Sequence, residues 1–207
     1  MKKANHVELI SYSGGDTAHA NAAWVSTQQE LTQDKLKRIP ELLKFLAEHD
    51  HGTPFEHSSI SFRVRSELAT HIQFLKHRVG VSINSESARY KELSADTFYL
   101  PDDWPSELVE ELEQYMEDCH SFYHKLTSRL TDLIGRQRAK ETSRFVLPYA
   151  HQITYIVTFN FRSFVHFVQL RNSENAQREI ADIARRMVKL VSDTHSFRNS
   201  LKAFKLT

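Results

Sequence analysis

The chain is 207 residues long and carries 27 Lys and Arg against 26 Asp and Glu, for a formal net charge of +1. A hydrophobic content of 40% is enough to bury one substantial core, and the balanced charge gives no field that would hold the chain on nucleic acid or an anionic membrane. No run of about 18 apolar residues suits a membrane-spanning helix, the opening MKKANHVEL is too polar for an export signal, and the single cysteine forms no internal disulfide, so a cytoplasmic protein is expected.

In chain order, Val7, Leu9 and Ile10 predict a short strand over 6–12, closed by the turn cluster Ser13-Gly14-Gly15-Asp16, in which Asp16 suits a helix cap. A helix is expected from Ala18 through Val25, and another through Ile39, Leu42, Leu43, Phe45 and Leu46, with Pro40 limiting its start. Ile60, Phe62 and Val64 alternate with Ser61, Arg63 and Arg65, the period of a strand buried on one side. Leu68, Ile72 and Leu75 return to helical spacing, and residues 79–87, rich in Gly, Ser and Asn, read as a loop. From Pro105 to Ile134, apolar residues at intervals of three and four predict one long amphipathic helix. Ile153, Tyr155, Val157 and Phe159 suit a strand, followed by helix from about Arg162, and Ile180 through Val191 defines a last long helix. The class is α+β, helix-rich, with 1–207 forming a single domain.

The densest polar cluster is Lys76-His77-Arg78, followed by Val79 to Tyr90. Ser, Asn and Gly there can aim backbone N–H groups at an anion while Arg supplies forked donors, which suits phosphate; a solvated charged loop is the bland alternative. Taken singly, Arg162 and Arg171 read as surface ion-pair partners, His51 and His57 as caps of neighbouring elements, and Ser26 and Thr53 as turn or cap hydroxyls. His120 and His124 stand at i and i+4, a spacing that can bind zinc, but no third ligand accompanies them and no metal site is expected. Cys119 falls on the apolar stripe of the long helix, a core position that disfavours thiolate catalysis.

Four ordered clusters together resemble the flavin-dependent thymidylate synthase family. Lys76-His77-Arg78, eight residues, Ser87, Ala88 and Arg89-Tyr90 is similar to the family's Arg-His-Arg…Ser-x-Arg-Tyr signature. HGTPFEH (His51 to His57) is similar to its His-x-Ser/Thr-Pro-Phe-Glu-His segment, and Arg144 to Pro148 to its Arg-x-x-Leu-Pro element. Asn160-Phe161-Arg162-Ser163, then Leu170-Arg171 with Ala176-Gln177 and Glu179, resemble its C-terminal motifs. The resemblance covers nearly the whole chain and implies a helix-rich single domain around a central, mostly antiparallel sheet.

It further implies reductive methylation of dUMP to dTMP, with FAD as cofactor and with methylenetetrahydrofolate and NADPH as co-substrates. Ser87 and Arg89 would help hold the nucleotide, Gln73 and Arg144 would contribute to its phosphate or sugar, and Arg171 would face the uracil and act as the catalytic residue. A fixed guanidinium suits that role, because charge builds on the pyrimidine carbonyls as C5 becomes nucleophilic. The flavin would be met by Ser26, His51, Thr53, Lys76, His77, Arg78, Asn160, Arg162 and His166. The resemblance also implies a homotetramer with sites between subunits.

The sequence departs from the family at several positions. Lys76 replaces an Arg, giving up its planar fork; Glu86 lies one residue later than the family's acid; His166, Asn175 and Arg178 replace Asn, His and an aromatic residue, and Trp24 interrupts the pattern before Ser26. These changes leave two further readings: a related flavoenzyme modifying another pyrimidine nucleotide, and a noncatalytic nucleotide- or flavin-binding relative.

Overall fold

Strand β2 (Ser59–Glu67) follows its sequence pattern: Ile60, Phe62 and Val64 are fully buried while the residues between them point outward. The computed structural model describes residues 2–26, 32–87 and 96–207, and two discontinuous compact units account for the chain. The first comprises Met1–His6, Arg65–Phe74 and Asn84–Tyr155; the second comprises Val7–Val64, Leu75–Ile83 and Ile156–Thr207.

In the second unit, segments of β1 (His6–Ser13), β2, β3 (Val81–Ser85) and β4 (Gln152–Phe159) form a sheet in the order β1-β2-β4-β3. The pairing is antiparallel: Ser13 meets Ser59 at 2.9 Å, Arg63 meets Glu8 at 2.9 Å, and Ser61 meets Thr158 at 2.8 Å. The aromatic run after β4 becomes helix α7 (Phe161–Arg171), which begins one residue before the expected start because Asn160 caps it, its Oδ1 accepting from Ser163 N at 2.8 Å. Phe164 of this helix stacks on Phe62 at 5.8 Å, and Phe167 packs on Phe159 at 5.2 Å, so the aromatic face is fixed against the sheet. Helix α8 (Arg178–Asp193) buries Ile180, Ile183, Ala184, Met187 and Val191 at the predicted spacing.

The unit also contains α1 (Asp16–Trp24), α2 (Gln33–Lys37), α3 (Ile39–Glu48), a 3-10 turn at Thr53–Glu56 and α9 (Arg198–Ala203). Asp16 opens α1, but its side chain caps α9: the carboxylate accepts from Asn199 N at 2.7 Å and from Ser200 N at 2.8 Å. Ser200 Oγ adds a third bond at 2.6 Å and also lies 2.9 Å from His19 Nδ1, whose Nε2 meets Ser58 Oγ at 2.9 Å. A fully buried imidazole thereby has both nitrogens engaged.

In the first unit the long helix α5 (Ser106–Ile134) matches its prediction, with Pro105 at the cap position. It packs with α6 (Arg136–Ser143) and the 3-10 turn Arg144–Val146; Met116, His120, Tyr123 and Thr127 are its buried residues, and Tyr123 meets Val146 and Leu147. The expected apolar stripe is only partly buried, since Leu108, Tyr115, Phe122 and Leu133 are exposed, and Cys119 is half-buried, where a core position was expected. Helix α4 (Leu68–Phe74) buries Thr70, His71 and Phe74, while Ile72 is exposed; Phe74 packs on Tyr155 at 5.3 Å.

Residues 81–85 are strand, where the sequence suggested loop throughout 79–87. Their Ser and Asn side chains are tolerated because β3 is an edge strand, bonded on one side to β4, with Glu86 N reaching Thr154 O at 2.8 Å. Among the described residues, no helix is long and apolar enough to cross a membrane.

Candidate active site

The burial of one face of α7 decides what its other face presents. With Phe161, Phe164, Val165, Phe167 and Val168 turned inward, Arg162, His166 and Leu170 fall one above another at i, i+4 and i+8 and line a cavity of about 630 Å³ in the second unit. Lys76, His77 and Arg78 supply the facing wall, with Asn160 and Ser163 at one end and Arg171 at the other.

The segment after Arg78 is locked to the start of α7. Asn160 N donates to Gly80 O at 3.1 Å, and Ser163 Oγ donates to Val79 O at 2.8 Å. Gly80 has φ +64°, and a Cβ there would lie 2.5 Å from Asn160 Nδ2, so both backbone conformation and close approach call for glycine.

At the far end, Arg171 Nε donates to His77 Nε2 at 2.9 Å. His77 is only 8% exposed and meets the edge of Phe167 at 5.0 Å. Burial, then the charges of Arg171 and His166, bring its pKa down to about 4, so the ring is neutral with its proton on Nδ1. Burial also lowers the pKa of Arg171.

Arg162 borders a second cavity of about 460 Å³, also in the second unit, whose wall includes Ser26, His51 and Thr53. Ser26 lies at the end of α1, with Oγ bonded to Ala23 O at 2.9 Å; His51 N bonds Leu46 O at 2.9 Å at the end of α3; Thr53 opens the 3-10 turn. Arg162 Nη1 bonds Glu56 Oε1 at 2.7 Å, and its guanidinium lies against Gly52, where a Cβ would sit 2.6 Å from Nε. The ion-pair reading of Arg162 therefore holds alongside its place between two cavities.

Within one unit the fold brings together Lys76, His77, Arg78, Asn160, Arg162, His166 and Arg171, with Ser26, His51 and Thr53 around the adjoining cavity. Gln73, half-buried on α4, Ser87 beyond β3, and exposed Arg144, whose Nε bonds Glu141 O at 3.1 Å, belong to the first unit. Arg89 lies outside the described residues. Sequence reading overlooked Glu56, Gly52, Gly80 and Ser163; Glu56 and Gly52 stand inside HGTPFEH and Ser163 inside Asn160–Ser163, so the motifs marked them without showing what they touch.

In the first unit His120 Nε2 lies 3.0 Å from His151 Nδ1, while His124 Nε2 lies 2.9 Å from Asp96, so the helical pair is divided between two partners. Tyr115 hydrogen-bonds the Cys119 thiol, which raises the pKa of the phenol. Among the described residues, no group of three or more His, Cys, Asp or Glu is placed to hold a metal ion.

Residues 8–195 match the family model for thymidylate synthase complementing protein. A flavin-dependent thymidylate synthase from Streptomyces avermitilis is 32% identical over 87% of this chain and 83% of its own length. One from Streptomyces coelicolor is 33% identical over 86% of this chain and 77% of its own. Among solved structures, a UMP/dUMP methylase, PolB from Streptomyces cacaoi bound with 5-Br dUMP, superposes with a TM-score of 0.82 at 28% identity, covering 99% of this chain and 97% of that one. The α+β architecture with an antiparallel four-stranded sheet, the four ordered motifs and this match over most of the length converge on one assignment: the chain belongs to the thymidylate synthase complementing protein family, a family of enzymes, and these flavin-dependent thymidylate synthases are its relatives.

Proposed function

We propose that this protein methylates dUMP to dTMP, using FAD, with methylenetetrahydrofolate as the carbon donor and NADPH as the reductant. The single observation that carries the reading is the cavity in which Arg171, His77 and the cations Lys76, Arg78 and Arg162 come together beside the Asn160 amide. That donor set fits a flavin dinucleotide: guanidinium and ammonium groups suit its diphosphate, while an amide and a neutral imidazole suit a ring with both donors and acceptors. When bound, the flavin supplies a hydride. Arg162, seated on the backbone at Gly52, would hold the cofactor where the two cavities meet.

Arg171 acts on the pyrimidine in this reading, stabilising the negative charge that develops on its carbonyls. Gln73, Ser87, Arg89 and Arg144 hold the nucleotide, and the working form is a homotetramer with sites between subunits. Purified, flavin-replete protein given dUMP, methylenetetrahydrofolate and NADPH is expected to form dTMP by mass spectrometry; absence of product from such a preparation rejects the reading.

A second reading, methylation of UMP as well as dUMP, is favoured by the structural likeness to the PolB methylase and by Glu86. Its Oε2 accepts from Thr154 N at 3.2 Å while its own N–H bonds Thr154 O, so the displaced carboxylate is engaged with β4. The same assay with UMP in place of dUMP decides it: 5-methyl-UMP supports the broader specificity, and product from dUMP alone rejects it.

A further inference from the structure

The resemblance places His77 among groups that meet the flavin. We propose that it has another duty, as the positioning residue of Arg171: a neutral acceptor that takes the Arg171 Nε–H and fixes the plane of the guanidinium at the cavity wall. This rests on the reading of Arg171 as the group that acts on the pyrimidine.

A guanidinium is planar, and its Nε–H lies in that plane. A bond from Nε to a held acceptor therefore limits rotation of the whole fork about the end of the side chain. Here the acceptor is His77 Nε2 at 2.9 Å. The imidazole is itself held, being 8% exposed, with Phe167 edge-on at 5.0 Å and His166 at 6.2 Å. Phe167, His166 and Arg171 all belong to α7, so one helix carries both the arginine and the rings that steady its acceptor.

The arrangement works in one protonation state only. A doubly protonated His77 would turn N–H toward N–H and add a cation to a wall that already has Arg171 and His166 on α7 and Lys76 and Arg78 beside it in the chain. The carboxylate on the same cavity, Glu56, is paired with Arg162 at 2.7 Å. A neutral ring with Nδ1 protonated is the state this surrounding favours. It follows that His77 contributes no positive charge to the cavity, although it sits between two cationic residues in the sequence.

Gln retains an acceptor in place of Nε2; Leu fills similar space without one. Wild type, His77→Gln and His77→Leu are compared at equal flavin content for dUMP methylation, and ¹⁵N NMR follows the Arg171 Nε–H, assigned by its loss in Arg171→Lys. The expected result is a kcat about 30-fold lower for His77→Leu, less than about 3-fold lower for His77→Gln, a changed Arg171 Nε–H resonance only in the Leu variant, and an Nδ1–H tautomer for His77 in wild type. Equal losses of kcat in both variants with the Arg171 Nε–H resonance unchanged would overturn the proposal. Wild type that forms no dTMP instead rejects the functional reading, and the resonance still decides whether His77 holds Arg171. Should the Leu variant not fold, a wild-type His77 carrying its proton on Nε2 would overturn the proposal by itself.

Discussion

Gly52 and Arg162 are in close register: a Cβ at Gly52 would lie 2.6 Å from the arginine's Nε and 2.8 Å from its Cζ. The glycine's φ of −74° is open to any residue, so the demand is one of space alone. Glu56 holds the other side of the same guanidinium at 2.7 Å.

Gly52→Ala is expected to push Arg162 from its seat and weaken flavin binding by about tenfold or more, in keeping with the loss of one charge-assisted hydrogen bond. Fluorescence titration of the stripped protein with FAD measures this. Unchanged affinity would mean that Arg162 does not hold the cofactor.

Arg171→Ala is expected to lower kcat by about 100-fold or more while circular dichroism stays that of wild type, because the residue ends α7 and contributes nothing to its buried aromatic face. Arg171→Lys keeps the charge but loses the Nε–H bonded to His77, and is expected to remain slow. Normal turnover in either variant contradicts the role given to this arginine.

Asp16→Ala removes three hydrogen bonds, to Asn199 N, Ser200 N and Ser200 Oγ, and leaves buried donors without partners. A loss of about 2–4 kcal/mol in urea unfolding is expected. A change below about 0.5 kcal/mol would show that the α9 cap is dispensable.

Stability is expected to fall between neutral and mildly acidic pH. Burial lowers the pKa of His19, His77 and His151 to about 4, with the charges of His57 on His19, of Arg171 and His166 on His77, and of His120 on His151 acting in the same direction. The unfolded chain, titrating near 6.5, binds more protons than the folded one in the interval between. Stability is therefore complete above about pH 6.5 and is lost as pH falls toward about 4. For fully buried His19 the loss at pH 5 is about 2 kcal/mol, and urea midpoints measured at pH 7 and pH 5 test it. Equal midpoints would contradict the neutral, buried state of these rings.

Elements with a strong period were legible from sequence. The alternation of Ile60, Phe62 and Val64 identified β2, and the three-four spacing from Ile180 to Val191 identified α8, because burial on one side selects those patterns. β3 was not, since an edge strand of Val-Ser-Ile-Asn-Ser can leave its polar side chains in solvent and takes its order from β4. Helices α2, α6 and α9 were missed for a related reason: α2 and α9 are short, and RQRAKETS in α6 has no apolar period to read. Asp16 was expected to cap the helix that follows its turn, whereas the helix its side chain serves lies more than 180 residues along the chain, and no local pattern encodes that partner. The motifs likewise named Arg162 and His77 without revealing that Gly52 and Glu56 grip the first or that Arg171 leans on the second.

The most direct test is the visible absorption of flavin-loaded protein titrated with dUMP, in wild type and in Arg171→Ala. A nucleotide seated against the flavin and engaged by Arg171 is expected to shift the flavin band saturably in wild type, and at least tenfold more weakly in the variant. A wild-type spectrum indifferent to saturating dUMP, or a shift that survives unaltered without Arg171, would contradict the account.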